Sequence, residues 1–400
     1  MASPTITVRG GHPDFLDLPW GDPLQTWDIP SLVDLPKGIS RHIVRFVATD
    51  LGIYAIKELP ERPARNDYEV LRQLEGSSAP AVIPVGLVTH RSPDGHDEIS
   101  AALITAYESF AFSYRELLAG PGFGPNRNRM LDAFAYLLVQ LHLIGCYWGD
   151  CSLSNVLYRW DADTIETVMV DAETASLHRE GLTDGRRQED IDIMIENVAG
   201  GMADIAAQAG TTLDDADLAL GEEIASRYAD LWTELSDEIV VAADERYRIG
   251  ERIQRINGLG FNVDEIDVIP TDDGGQIRFK LKIGGRTYHS ERLRDLTGID
   301  ARENQARQIL LDLYYYQTRQ GSATPTMKNV SAIRWRVSEF EPTIARLAAV
   351  EGVRNPIQAF CDLLHHRYLM ASELGRDVST DEALPAWLEA GRPGYPAPGF

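Results

Sequence analysis

Residues Tyr147–Thr174 read YWGDCSLSNVLYRWDADTIETVMVDAET. Asp150 is followed five residues later by Asn155, then by an apolar run, a polar turn, a second apolar run and Asp171. The runs around WDADT predict a short hairpin, with Asp171 at the end of its second strand. One carboxylate is thus offered as a proton acceptor. Two further oxygen-bearing side chains suit a hard, octahedral cation. The plainer reading is a polar turn in which Asp150, Ser152 and Asn155 cap backbone groups. The apolar helix before the stretch and the strand–turn–strand–Asp order after it favour the chemical reading.

The surrounding chain has 400 residues, 44% hydrophobic and 25% charged, enough for two or three globular domains. Its 61 acidic residues outnumber 38 basic ones, giving a formal charge of −23. That balance argues against nucleic acid as a partner and against docking on an anionic bilayer. Cys146, Cys151 and Cys361 are too few and odd in number for a disulfide framework. The first residues lack a basic start followed by an apolar core. No run reaches the roughly eighteen apolar residues of a membrane span. The expected location is the cytoplasm.

Upstream, Thr5–Arg9 reads as a strand, followed by an irregular wrap anchored at Phe15, Leu18, Trp20 and Trp27. Ile39–Phe46 and Gly52–Leu59 predict two strands joined through VATDL, with Lys57 on the second. Arg65–Leu74 predicts a helix, and Val82–Thr89 and Ile99–Tyr107 two more strands. A helical region follows: Tyr114–Leu118, the apolar Met130–Leu143, Glu189–Gln208 and one or two helices in Asp214–Leu235. Beyond residue 244, a helix closed by Gly258 or Gly260 precedes strands at Ile266–Val268, Gln276–Ile283 and Arg286–His289. The rest, Arg302 to Leu388, reads as mostly helical. The expected divisions are 1–108, 109–243, 244–390 and a tail, 391–400.

Lys57 lies within an apolar strand, where its ammonium needs a polar partner unless it faces water at a sheet edge. The following helix offers Asp67 and Glu69. Asp67 is three and four residues before Val70 and Leu71 and shares their face, whereas Glu69 lies about 200° round from Asp67. Asp67 is the preferred partner and Glu69 the fallback. Gly38, with Ser40 and Arg41, is the only candidate for a phosphate-covering loop, and there is no GxGxxG. His142 reads as a packed structural histidine. His365 and His366 with Asp362 read as surface or capping groups, and Tyr314–Tyr316 as core and rim.

The order of YAIKELP, the helix with Asp67, YWGDCSLSNVLY and VDAET resembles the protein-kinase-like superfamily, within it the bacterial lipopolysaccharide-kinase and small-molecule kinase branch. RHIVRF, RINGLGF, LTGIDARENQAR and HRYLMASELGRDV extend the resemblance to a bacterial family of unknown function with an added C-terminal domain. It implies an α+β, two-lobed protein-kinase-like fold, a small antiparallel sheet lobe plus a helical lobe, followed by a mostly helical C-terminal domain with a small β-sheet. It implies ATP and Mg²⁺: Lys57 on the phosphates, Asp67 paired with it, and Gly38, Ser40 and Arg41 near the nucleotide. Asn155 and Asp171 are then metal ligands and Asp150 the base. Trp148 stands where that branch has a histidine, and Ala172–Glu173 replaces Phe-Gly. The expected activity is phosphoryl transfer to a hydroxyl of a small molecule, glycan or lipid precursor. The alternatives are a nucleotide-binding module without turnover, and a protein kinase or nucleotidyl transferase. The C-terminal domain is open to binding a protein partner, dimerising or recognising the acceptor.

Overall fold

The computed structural model describes residues 4–35, 42–91, 99–118, 126–242, 244–245, 247–270 and 276–395. The chain divides into two compact units, one of residues 1–159 with 167–231, the other of 160–166 with 232–400.

The first unit begins with a six-stranded antiparallel sheet: β1 (Thr5–Val8), β2 (Leu32–Val33), β3 (Val44–Thr49), β4 (Gly52–Leu59), β5 (Pro84–Thr89) and β6 (Ala101–Ala106). Their order is β1-β5-β6-β4-β3-β2. The β3–β4 turn is shorter than expected. Val47 and Thr49 are β-branched and continue the strand, so Thr49 pairs with Gly52 and only Asp50 and Leu51 remain in the turn. Gly52 takes φ of +136°, which a side chain would resist.

Alternation along β4 sorts its side chains. Tyr54 and Ile56 enter a core with Phe15, Trp20, Leu24 and Trp27 of the N-terminal wrap. Glu58 lies with them, almost fully buried and 2.8 Å from Arg91. Arg91 also donates to the carbonyls of Trp20 and Asp22, which bolts the wrap to the sheet. Ala55 and Lys57 point to the other side, into a cleft.

Helix α1 (Glu61–Gly76) starts before the expected Arg65. Pro63 falls in its first turn, where a missing N–H costs nothing. Ala64, Asp67, Tyr68, Leu71 and Leu74 form its buried stripe at helical spacing, with one acid among apolar side chains.

The helical lobe follows: β7 (Ala111–Phe112), α2 (Tyr114–Leu117), α3 (Arg127–Leu143), β8 (Cys146–Tyr147), β9 (Val156–Asp161), β10 (Thr164–Met169), β11 (Ser176–Leu177), α4 (Asp184–Ala209), α5 (Asp215–Leu218) and α6 (Leu220–Ser236). Leu131, Phe134, Leu137, Leu138 and Leu141 of α3 are buried. β9 lies between β7 and β10, and β8 pairs with β11. Helix α4 begins at Asp184, not Glu189, because Thr183 caps it by accepting from the Arg186 N–H. Its polar first turns hid that start. An antiparallel sheet with one helix, followed by a helical lobe carrying the loop–hairpin–Asp stretch, makes the first unit a two-lobed α+β fold.

The second unit contains β12 (Ile239–Ala242), α7 (Tyr247–Gly258), β13 (Val263–Pro270), β14 (Gln276–Ile283) and helices α8 (Tyr288–Thr297), α9 (Glu303–Arg319), α10 (Pro325–Trp335), α11 (Glu341–Ala348), α12 (Pro356–Leu374) and α13 (Thr380–Glu389). Its sheet runs β12-β14-β13. The expected strand Arg286–His289 is instead a loop and the start of α8, because Gly284 and Gly285 release the chain and Thr287 sits at the helix N-cap. β12, unexpected from the sequence, pairs antiparallel with β14. Leu293, Ile309, Leu313, Trp335, Phe360, Leu363 and Trp387 form the helical core. Among the described residues, no helix is long and apolar enough to cross a membrane.

Candidate active site

The site is assembled by buried polar residues that each fasten one segment to another. Lys57 on β4 reaches Asp67 Oδ2 on α1 at 2.7 Å and Asp171 Oδ1 at 3.0 Å. Asp67 is fully buried, and its Oδ1 accepts the Ala172 N–H at 3.0 Å. It therefore holds both the lysine and the backbone just after Asp171. Asn66, next to it, donates to the carbonyls of Glu173 and Ala175 at 2.9 and 3.0 Å. Glu69 is exposed on the far side of α1. Gly38, Ser40 and Arg41 lie outside the described residues.

Burial disfavours the Lys57 charge, but Asp67 and Asp171 outweigh it and hold the ammonium above its ordinary value. Burial pushes Asp67 up to about 6, while Lys57 and the Ala172 N–H pull the other way. With an ammonium at 2.7 Å, the ion-paired form is the one the geometry supports at neutral pH.

The loop carrying Asp150 hangs from α4. Asp190 is fully buried and accepts the N–H groups of Trp148 and Gly149, both at 2.7 Å. It also contacts His142 Nε2 at 3.2 Å, and His142 Nδ1 meets the Tyr228 hydroxyl at 2.8 Å. Burial first, and then Arg187, lower the His142 pKa, while Asp190 opposes them. Trp148 is fully buried and stacked on Phe134. Its indole N–H donates to the Asp171 carbonyl at 3.0 Å, and its own carbonyl accepts from the Thr174 hydroxyl at 2.8 Å. The tryptophan thus ties the Asp150 loop to the Asp171 segment. Gly149 has φ of +77°, and a Cβ there would stand 3.0 Å from the Tyr147 ring and 3.2 Å from the Thr174 carbonyl.

Asp150 is held at both carboxylate oxygens. Oδ2 accepts from Asn155 Nδ2 at 3.0 Å, and Oδ1 from Asn197 Nδ2 on α4 at 3.2 Å. Asn155 Nδ2 also donates to the Asp150 carbonyl at 3.1 Å. Asp171 Oδ1 accepts the Glu173 N–H at 3.2 Å in addition to facing Lys57. Among the described residues, nothing donates to Asp171 Oδ2 or to Asn155 Oδ1. Cys151 is buried beside Asp150, and burial raises its thiol well above the usual range, which removes it as a nucleophile.

Two cavities meet at Asn155 and Asp171. One is mostly apolar, lined by Val44, Phe46, Ala55, Val82, Leu103 and Leu157, with Lys57 at its polar end. The other, about 370 Å³, contains Asp150, Ser152, Asn197, Glu196, Asp204 and Tyr114. Lys57, Asp67, Asp150, Asn155 and Asp171 are therefore brought together, while Glu69 is not.

Sequence reasoning missed Asp190, Asn197 and Asn66. Asp190 did leave a signal: it precedes Met194 and Val198 at helical spacing and is, like Asp67, an acid on an apolar stripe. Asn197 follows Asp190 by seven residues and so shares its face.

Residues 230–391, less than half of the chain, match a family described as "Domain of unknown function (DUF4032)". No curated protein matches the chain. Among solved structures, WaaP in complex with acyl carrier protein is similar at 14% identity, covering 57% of this chain and 88% of that one, with a TM-score of 0.34. The Rio2 kinase–ADP/Mg²⁺–phosphoaspartate complex from Chaetomium thermophilum is similar at 12% identity, covering 51% and 70%, with a TM-score of 0.32.

Proposed function

We propose that the first unit is an ATP- and Mg²⁺-dependent phosphotransferase acting on a hydroxyl of a small molecule, glycan or lipid precursor. The observation that carries this reading is the meeting of two cavities at Asn155 and Asp171, with Lys57 in one and Asp150 in the other. The apolar cavity suits a nucleotide base, with Lys57 on its phosphates. A cavity of about 370 Å³ beside Asp150 suits a small acceptor.

The residues fit the metal. Asn155 spends its Nδ2 on Asp150 and keeps Oδ1, while Asp171 spends Oδ1 and keeps Oδ2. Two hard oxygens are what Mg²⁺ takes from a protein when phosphates and waters supply the rest. Among the described residues, no group of three or more His, Cys, Asp or Glu side chains forms a preformed metal cage. When bound, Mg²⁺ neutralises phosphate charge.

The chain's own residues do the positioning. Asp67 keeps Lys57 charged and aimed into the cleft. Asp150 orients the acceptor hydroxyl and takes its proton as the oxygen attacks the γ-phosphorus and the bond to the β-phosphate oxygen breaks. Asp190 and Trp148 fix the loop that carries it. We propose the cytoplasm, where ATP is supplied, as the site of this reaction.

The test is calorimetric binding of ATP with Mg²⁺ to the full chain. Binding by the wild type, with affinity reduced at least about tenfold in Lys57→Ala through loss of a charged phosphate contact, supports the reading. Equal binding by both proteins, or none by either, sinks it.

A further inference from the structure

We infer that Asn197 is a positioning residue for Asp150, and that α4 is the template on which the base is oriented. The inference rests on the phosphotransferase reading for its consequence, but on geometry for its substance.

Helix α4 presents three loop-facing groups along one side. Asp190 takes the backbone N–H groups of Trp148 and Gly149. Asn197, two turns later on the same face, donates Nδ2 to Asp150 Oδ1 and to the Cys151 carbonyl, both at 3.2 Å. Gly201, a further turn on, faces Leu153, whose Cδ1 would lie in ordinary contact, 3.5 Å from a Cβ built there. Backbone, side chain and following apolar residue of the loop are thus read off one rigid element.

The two amides divide the carboxylate between them. Asn155 holds Oδ2, and Asn197 holds Oδ1. A carboxylate bonded at one oxygen can swing about its χ2, whereas one bonded at both cannot without breaking a bond. Asn155 also has an oxygen turned elsewhere, so its geometry answers to two demands. Among the described residues, the Asn197 side chain bonds only Asp150 and the Cys151 carbonyl, so it serves the Asp150 loop. The other charged groups lining this cavity, Asp171, Glu196 and Asp204, are acids and offer the carboxylate no donor. Among the described residues, no lysine or arginine lines it. Orientation of Asp150 therefore falls to the two asparagines.

The test compares Asn197→Ala and Asn197→Asp in the full chain with the wild type. The expected order of kcat is wild type, then Asn197→Ala, reduced about tenfold to a hundredfold by misplacement of the base, then Asn197→Asp. The aspartate keeps the volume but turns a donor into an acceptor facing Asp150. Calorimetric Kd for ATP with Mg²⁺ stays as in the wild type for both, because Asn197 does not line the nucleotide cavity. If the isosteric aspartate is as good as or better than alanine, Asn197 is a packing residue and the inference is overturned. A wild type with no turnover on any acceptor, and no hydrolysis of ATP, sinks the phosphotransferase reading instead. In that case the Asn155 side-chain amide resonance decides the positioning claim. A shift of that resonance in both variants supports it, and an unmoved resonance overturns it.

Discussion

Both units bury acids, and they use them differently. In the second unit, fully buried Asp161 accepts from the Asn304 and Gln305 N–H groups at 2.9 and 2.7 Å and from Asn304 Nδ2 at 2.9 Å. Glu303 accepts from the His289 and Ser290 N–H groups at 2.8 and 3.0 Å and from His289 Nδ1 at 2.6 Å. Each saturates the first turn of a helix, α9 and α8, where unpaired N–H groups and the helix dipole favour a negative charge. In the first unit, Asp190 behaves in the same way toward a loop. Asp171 and Asn155 do not: each is held firmly through one atom while another stays unspent. A fully buried acid that lines neither cavity and whose oxygens are all taken is structural. One that is fixed yet incompletely bonded is prepared for a ligand.

This contrast can be broken by substitution. The largest loss of stability is expected for Asp190→Ala, which strips the acceptor from two loop N–H groups and from His142. The cost is about 3–5 kcal/mol, read as a fall in the midpoint of the first unit's denaturation. Asp161→Ala should cost about 2–4 kcal/mol in the second unit by uncapping α9. Asp171→Asn, by contrast, should change stability by less than about 1 kcal/mol, because Lys57 keeps Asp67. It should nevertheless abolish Mg²⁺-dependent turnover. Equal destabilisation by Asp161→Ala and Asp171→Asn would erase the distinction.

A smaller effect concerns pH. Burial opposes the Glu303 charge, but His289 and the backbone donors prevail and lower its pKa. A carboxyl that is more acidic folded than unfolded stabilises above its unfolded value, and the contribution is lost as pH falls through the folded value. The second unit should therefore lose stability on acidification below about 4.5, and less steeply in Glu303→Gln. An unchanged acid limb in that variant would count against the capping role.

What was legible in the sequence follows the same division. Lys57 and Asp67 showed because a charge on an apolar strand or helix face breaks a period. The 150–155–171 spacing showed because a loop, a hairpin and a strand end are local. Asp190 also broke the apolar face of its helix, but its role and that of Asn197 were not legible, because their partners lie about forty or more residues away and only tertiary packing brings them together. Trp148 read as a departure from a pattern, yet its indole bond to the Asp171 carbonyl makes it a tie between the two halves of the site. The strand expected at Arg286–His289 failed because α8 starts at Tyr288, where the distant Glu303 accepts the His289 and Ser290 N–H groups, a partner that a short β-like run does not reveal.

The central claim is that Asp150 acts as a base in a nucleotide-charged cleft. The most direct measurement is ATP turnover by Asp150→Asn alongside its calorimetric affinity for ATP with Mg²⁺. Wild-type affinity and a loss of kcat of at least about a hundredfold are expected. An Asp150→Asn chain that turns over at the wild-type rate would contradict the claim.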